Sequence, residues 1–269
     1  MQLKLWQIDA FAAKPLEGNP AAVVPLDKWL PDHVMQAIAG ENNLSETAFF
    51  VSAGPGNYHL RWFTPTNEVE LCGHATLASA WLIFNELEPS AKQISFATRS
   101  GVLTVQRSDD GHNILSLPTS DLSGFMAPQI FLDGLSDALG VPPPIQVHTG
   151  RFVLAVWDDP AVVRAIVLGD VGPVLSSIGE WGLIASAPGD NGYDFISRFF
   201  APFKGVPEDP VTGAAHTMLT PYWARRLDKK TLKARQVSTR GGDLTCTDDG
   251  ERTLLAGPCA LYLKGEIFI

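Results

Sequence analysis

Arg61-Trp62-Phe63-Thr64-Pro65 and Arg198-Phe199-Phe200-Ala201-Pro202 are two versions of one motif, separated by 137 positions (61 to 198) in a chain of 269 residues. Five matching residues could arise by chance. Each copy, however, is followed shortly by a glycine-opened helix pattern, Gly73-His74-Ala75-Thr76 and Gly213-Ala214-Ala215-His216. A shared offset with a shared following element points to internal duplication, and a repeat at half the chain length decides the fold before any other signal. At the same offset Cys72 falls on Asp209. The expected architecture is two similar lobes, each a set of strands around one apolar helix.

Working outward, the segment after Gly73 keeps helical spacing at Leu77, Ala80, Trp81 and Phe84, while Ala78, Leu82 and Ile83 make its other faces apolar too. A helix apolar nearly all round is buried within its domain. Upstream, residues 3–9 alternate with a period of two, Gly18-Asn19-Pro20 makes a turn, and 21–25 reads as a short buried strand. Pro31 and Asp32 open a helix to about Glu41, and strands are predicted over 45–51, 58–63, 94–97, 103–106 and 114–117. Residues 118–144 read as a connection with a short helix near 130–139. Strands then recur over 145–148, 152–157, 182–187 and 196–200. Pro221 lies inside the second helix pattern and is expected to kink or end it.

Composition narrows the function. Hydrophobic residues make up 45% and charged residues 18%, the mixture of a folded globular protein. The formal net charge is -9, from 29 acidic and 20 basic residues, with no Lys/Arg cluster, so no nucleic acid partner is expected. No stretch reaches the ~18 apolar residues of a membrane span, so no membrane partner is expected either. Cys72, Cys246 and Cys259 cannot all pair and match no zinc or redox spacing, which favours a reducing compartment. The first ten residues read as a strand, not as a secretory leader. The expected location is cytoplasmic.

The candidate chemistry lies at the two helix starts. A helix N-terminus presents unpaired N–H groups and the positive end of a dipole, so it favours anions. Glycine at Gly73 and Gly213 leaves room for a ligand to approach, though small residues there also permit close helix packing. Two such termini facing one cleft would suit a small carboxylate.

Several segments together resemble the phenazine-biosynthesis PhzF-like family, within the diaminopimelate epimerase-like fold. They are Asp9-Ala10-Phe11, Gly18-Asn19-Pro20-Ala21-Ala22-Val23, Asn43-Leu44-Ser45-Glu46-Thr47-Ala48-Phe49, Arg61 to Pro65, Glu68-Val69-Glu70-Leu71-Cys72-Gly73-His74-Ala75-Thr76 and Glu208-Asp209-Pro210-Val211-Thr212-Gly213. The resemblance implies an α+β fold of two pseudo-symmetric lobes, each a β-barrel-like sheet wrapped around a central apolar helix: an N-terminal lobe over 1–118, completed by the last strand at about 258–269, and a C-terminal lobe over 128–257, with the active site in the cleft between them. It also implies a homodimer and an isomerase that shifts a double bond by moving a proton on a small carboxylate substrate, with neither metal nor organic cofactor. By the same resemblance Glu46 is the proton-transferring carboxyl, His74 and Asp209 assist, and Asn19, Ser45, Gly73, Gly213 and Ala214 line the substrate. A serine often follows the second motif glycine in the family, and here that position is Ala214, which puts the exact substrate in doubt.

Residue chemistry supports this independently, because one carboxyl can remove a proton at one carbon and deliver it at another if water is kept out. Cys72 occupies the place of one catalytic thiol in the amino-acid racemases of the fold. The opposite position reads Asp209, which disfavours a two-thiol racemase. Two other functions compete. A metal-dependent hydrolase would use His74, His216 and Asp209, but no two of these have the ligand spacing of a helix-borne pair. A non-catalytic binding or scaffold protein would keep the cleft without turnover.

Overall fold

The near-continuous apolar runs in 19–26 and 46–52, the second with paired phenylalanines, are suited to strands packed on both faces, and that is how they fold. The computed structural model describes residues 1–108 and 111–269. It divides into two compact units, Met1–Leu117 with Leu254–Ile269, and Pro118–Thr253.

The first unit begins with β1 (Gln2–Ala10), β2 (Asn19–Leu26), α1 (Asp32–Asn42), β3 (Glu46–Ser52) and β4 (Asn57–Phe63). There follow β5 (Glu68–Val69), α2 (Gly73–Leu82), a π-helical turn (Ile83–Leu87), β6 (Gln93–Thr98), β7 (Gly101–Arg107) and β8 (Asn113–Pro118). Pairing is antiparallel for β1–β2 and β3–β4, but parallel for β2–β3 and β4–β6. The parallel steps need crossovers, and α1 and α2 supply them.

Strand alternation decides which side chains face which helix. Ala22, Val24 and Phe49 share a buried cluster with Met35, Ile38 and Ala39 of α1. Their neighbours Ala21, Val23, Ala48 and Phe50 therefore point to the opposite face, where α2 packs on β1, β2 and β3. Position 46 belongs to that second face. The helix itself is buried from His74 through Ala80 and again at Leu82, as its all-round apolar pattern predicts. Each Leu or Phe fully buried there stabilises by about 1.5–3 kcal/mol.

The second unit repeats the plan. It contains β9 (Leu122–Gly124), α3 (Gln129–Leu139), β10 (Gln146–Gly150), β11 (Val153–Val156), α4 (Pro160–Ala165), α5 (Gly172–Ser176) and β12 (Leu183–Pro188). Then come β13 (Phe195–Ala201), a 3-10 turn (Pro202–Lys204), β14 (Val206–Asp209), α6 (Gly213–Leu227), β15 (Thr231–Gln236) and β16 (Gly242–Asp249). After β17 (Arg252–Gly257), β18 (Cys259–Phe268) lies antiparallel to β1 and completes the first unit's sheet. In the second unit β10–β11 and β12–β13 are antiparallel, while β11–β12 and β13–β15 are parallel. This is the order of directions found for β1, β2, β3, β4 and β6.

Two expectations need correction. Of the two outcomes expected at Pro221, a kink or an end, the second does not occur, for α6 runs on to Leu227. A proline removes the N–H that would bond the carbonyl four residues back, here that of Thr217. The Ser120 N–H donates to that carbonyl at 3.2 Å instead, and the Ser120 and Thr217 hydroxyls meet at 2.7 Å.

The second correction concerns the repeat. In register, Trp62 pairs with Val69, whereas the equivalent Phe199 pairs with Asp209. The turn between Ala201 and β14 is three residues longer than its counterpart, so beyond it the offset becomes 140 (Gly73 to Gly213). Cys72, the residue before α2, therefore corresponds to Thr212 and not to Asp209; both flank their helix in extended backbone conformation. The corrected alignment also matches two bidentate ion pairs, Arg61 with Glu68 and Arg198 with Glu208, at 2.7–2.9 Å.

Candidate active site

Glu46 opens β3 opposite Ala21 of β2, with Asn19 at the start of the same β2 strand and Ser45 just before Glu46. Asn19 is fully buried and Ser45 is half-buried. Because Glu46 faces α2, its carboxyl meets the beginning of that helix. His74 Nε2 lies 3.2 Å from Glu46 Oε2, and on the other side of the ring Nδ1 lies 3.6 Å from Cys72 Sγ. The Glu46 side chain keeps 18% of its surface exposed and that of His74 only 6%. The carboxyl is thus reachable while the imidazole behind it is shielded.

The local backbone explains the placement. Cys72 is the N-cap of α2, and its carbonyl accepts from the Thr76 hydroxyl at 2.6 Å as well as from the Thr76 N–H at 3.3 Å. This pins the first turn and fixes where the side chains of residues 72 and 74 emerge. The N–H groups of that turn have no carbonyl four residues back, as at every helix start.

Burial pushes His74 down to about 3. His74 therefore stays neutral at pH 7. Its Nε2 has no hydrogen-bond partner among the described residues.

In the second unit Asp209 ends β14, and its carboxyl accepts from the Thr212 hydroxyl. The buried Gln236 organises this corner. Its Oε1 accepts from the Thr212 N–H at 2.9 Å, and its Nε2 donates to the Asp209 carbonyl at 2.7 Å and to Thr212 Oγ1 at 3.2 Å. Gly213 and Ala214 form the first turn of α6 behind it. His216 is buried, donates from Nδ1 to the Thr212 carbonyl at 2.8 Å, and is pushed down to about 4 by burial. It serves α6 as Thr76 serves α2, bonding the N-cap carbonyl.

Sequence reasoning brought Glu46 and His74 to the same place but passed over Cys72 as a partner of His74. The signal was the Cys-Gly-His spacing at a helix start. Gln236 was missed too, and only a buried polar residue within an otherwise alternating strand would have betrayed it.

Glu46, Cys72 and His74 also each bring one possible metal-ligating atom within 4.8 Å of the others. A metal ion binds one imidazole nitrogen. Here thiol and carboxylate face different nitrogens, which suits a hydrogen-bonded chain through the ring better than a shared ion.

The duplicated α+β plan places the protein in the class with the diaminopimelate epimerase-like fold. More distant comparison agrees: a hydroxyproline epimerase from Agrobacterium vitis shares the fold at a TM-score of 0.62 and 10% identity, over 99% of this chain and 92% of the other. Nearer relatives are specific. The crystal structure of a PhzF-family phenazine biosynthesis protein from Enterococcus faecalis matches at a TM-score of 0.92 and 41% identity over the whole of both chains. A Pseudomonas aeruginosa protein described as an uncharacterized isomerase is 45% identical over 269 residues, again the whole of both. Residues 8–265 match the phenazine biosynthesis-like protein family, and the chain belongs to it.

Proposed function

We propose that this protein is a cofactor-independent isomerase that moves a proton within a small unsaturated carboxylate, shifting its double bond. The observation that carries this reading is the partly exposed Glu46 carboxyl set against a buried, neutral His74. The isomerase names of its relatives support the same class.

The chemistry proceeds in two proton transfers. Glu46 removes a proton from an activated carbon, and the electron pair of the broken C–H bond passes into the conjugated system toward the substrate carboxylate. Negative charge collects on oxygen, where the N–H groups at the start of α2 and the Nε2 side of His74 are suited to stabilise it. Glu46 then returns the proton to a second carbon, whose new C–H bond takes up the electron pair. Neutral His74 matters because an imidazolium beside Glu46 would hold the carboxylate in an ion pair and weaken it as a base. Asn19, Ser45, Gly73, Gly213 and Ala214 are assigned to substrate contact, and Asp209 to assisting proton movement. The protein is assigned to the cytoplasm as a homodimer.

Incubation with a panel of small unsaturated carboxylates, dihydro-aromatic acids included, in heavy water tests the reading. Turnover with deuterium on carbon is the expected outcome. Saturable binding without exchange or turnover across the panel would instead identify a binding protein.

A further inference from the structure

The Cys72–His74 contact has no part in the proton transfers just described, and the corrected repeat shows that it is not half of a thiol pair. We propose that Cys72 is a positioning residue: its thiol donates to Nδ1 of His74 and so keeps the imidazole proton on Nε2, the nitrogen beside Glu46. This rests on the assignment of Glu46 as the acid–base group.

The inference follows from hydrogen-bond inventory. A neutral imidazole carries one N–H and one lone pair, and whichever interaction one nitrogen makes determines what the other presents. Sγ and Nδ1 are 3.6 Å apart, a hydrogen-bonding separation for sulfur. Two orientations fit that distance, S–H to nitrogen or N–H to sulfur. Imidazole nitrogen is a good acceptor and thiol sulfur a weak one, so S–H to Nδ1 is favoured. The ring proton then resides on Nε2. In the other tautomer, a lone pair on Nε2 would face Glu46 Oε2 at 3.2 Å. Two electron-rich atoms at that distance repel, and Glu46 could relieve this only by keeping its own proton, which disables it as a base.

Two further observations point the same way. Nε2 is buried and makes no hydrogen bond among the described residues, so its N–H is presented to a third group beside the Glu46 carboxyl. A substrate oxygen gaining charge is that kind of group. In the second unit the matching N-cap, Thr212, also turns its side chain onto an acid–base residue, donating to Asp209. The two N-caps thus share one task with different partners, a carboxylate in one unit and an imidazole in the other.

The test is histidine nitrogen NMR on the whole protein, where the Nδ1 and Nε2 shifts of His74 report the tautomer without need of substrate. Wild type is expected to show protonated Nε2. Cys72→Ala is expected to move His74 toward a mixture of tautomers and to lower kcat by less than about tenfold, since general acid–base catalysis by Glu46 survives. Cys72→Ser, whose hydroxyl can also donate to Nδ1, should restore the tautomer and recover most of the rate. Protonated Nδ1 in the wild type, or a His74 spectrum unchanged by Cys72→Ala, overturns the proposal. So does a His74 spectrum altered by chelator, which would place a metal on the ring, and so does loss of all turnover in both variants with fold and tautomer intact. The NMR outcome stands whether or not the substrate assignment survives, so the two readings can fail separately.

Discussion

Replacing Gln236 with Leu removes the three hydrogen bonds that hold the start of α6 while leaving a side chain of similar size in β15. Thr212 is only 8% exposed, so its N–H, now bonded to Gln236 Oε1 at 2.9 Å, loses its acceptor in a buried setting. A buried donor left unsatisfied costs about 1–3 kcal/mol. The Asp209 carbonyl also loses its donor, but Asp209 is half-buried and water can replace part of that bond. Leucine returns some apolar burial in compensation. With these two smaller effects opposing one another, the net loss is expected at about 1–3 kcal/mol, concentrated at the N-terminal turn of α6. Hydrogen exchange of the α6 amides measures it locally, which suits a chain of two units better than a single melting curve. Gln236→Glu separates the contributions, because a carboxylate still accepts from Thr212 N–H but cannot donate to Asp209. An α6 opening free energy in Gln236→Leu within about 0.5 kcal/mol of wild type would refute the role given to this residue.

Acid should destabilise the protein through its buried histidines. Burial lowers His216 to about 4 and His74 to about 3 from a usual 6.5, so the unfolded chain binds more protons than the folded one below pH 6.5. Stability is complete above that pH and falls as pH drops, by at most about 1.4 kcal/mol per pH unit for each histidine; His216→Gln should show a shallower fall between pH 6 and 4, and an unchanged slope would contradict the burial argument. Tyr58→Phe removes the 2.5 Å hydrogen bond to Glu88 that ties β4 to the end of the π-helical turn. It should cost about 1.5–3 kcal/mol in urea unfolding, the range for a bond to a charged acceptor, and a cost below about 0.5 kcal/mol would show that water replaces it.

Much of the first unit was legible because its signals are local. The all-round apolar α2 announced a buried helix, but Ala48, Phe49 and Phe50 are all apolar, so only the packing on α1 shows which face Glu46 shares. The second half was harder for physical reasons. The strand Thr231–Gln236 sets Lys233 and Arg235 after the buried Leu232 and Ala234 in turn, and its remaining inward residue is the polar Gln236, which breaks the apolar pattern of a strand. The passage of α6 through Pro221 depends on Ser120, 97 positions from Thr217, and no local rule contains that partner. The repeat was visible at Arg61 and Arg198, but the longer turn after Ala201 shifts the register beyond it. Only strand pairing identified Thr212 as the counterpart of Cys72.

The most direct measurement of the central claim compares wild type with Glu46→Gln on a substrate that exchanges in heavy water. Glutamine keeps the shape of the carboxyl and its place beside His74 but cannot take up or release the proton. Binding should persist, while turnover and deuterium incorporation into the product carbon fall together by at least ~10²–10⁴-fold. A Glu46→Gln protein that keeps more than about a tenth of the wild-type rate would contradict the assignment of Glu46 as the group that carries the proton.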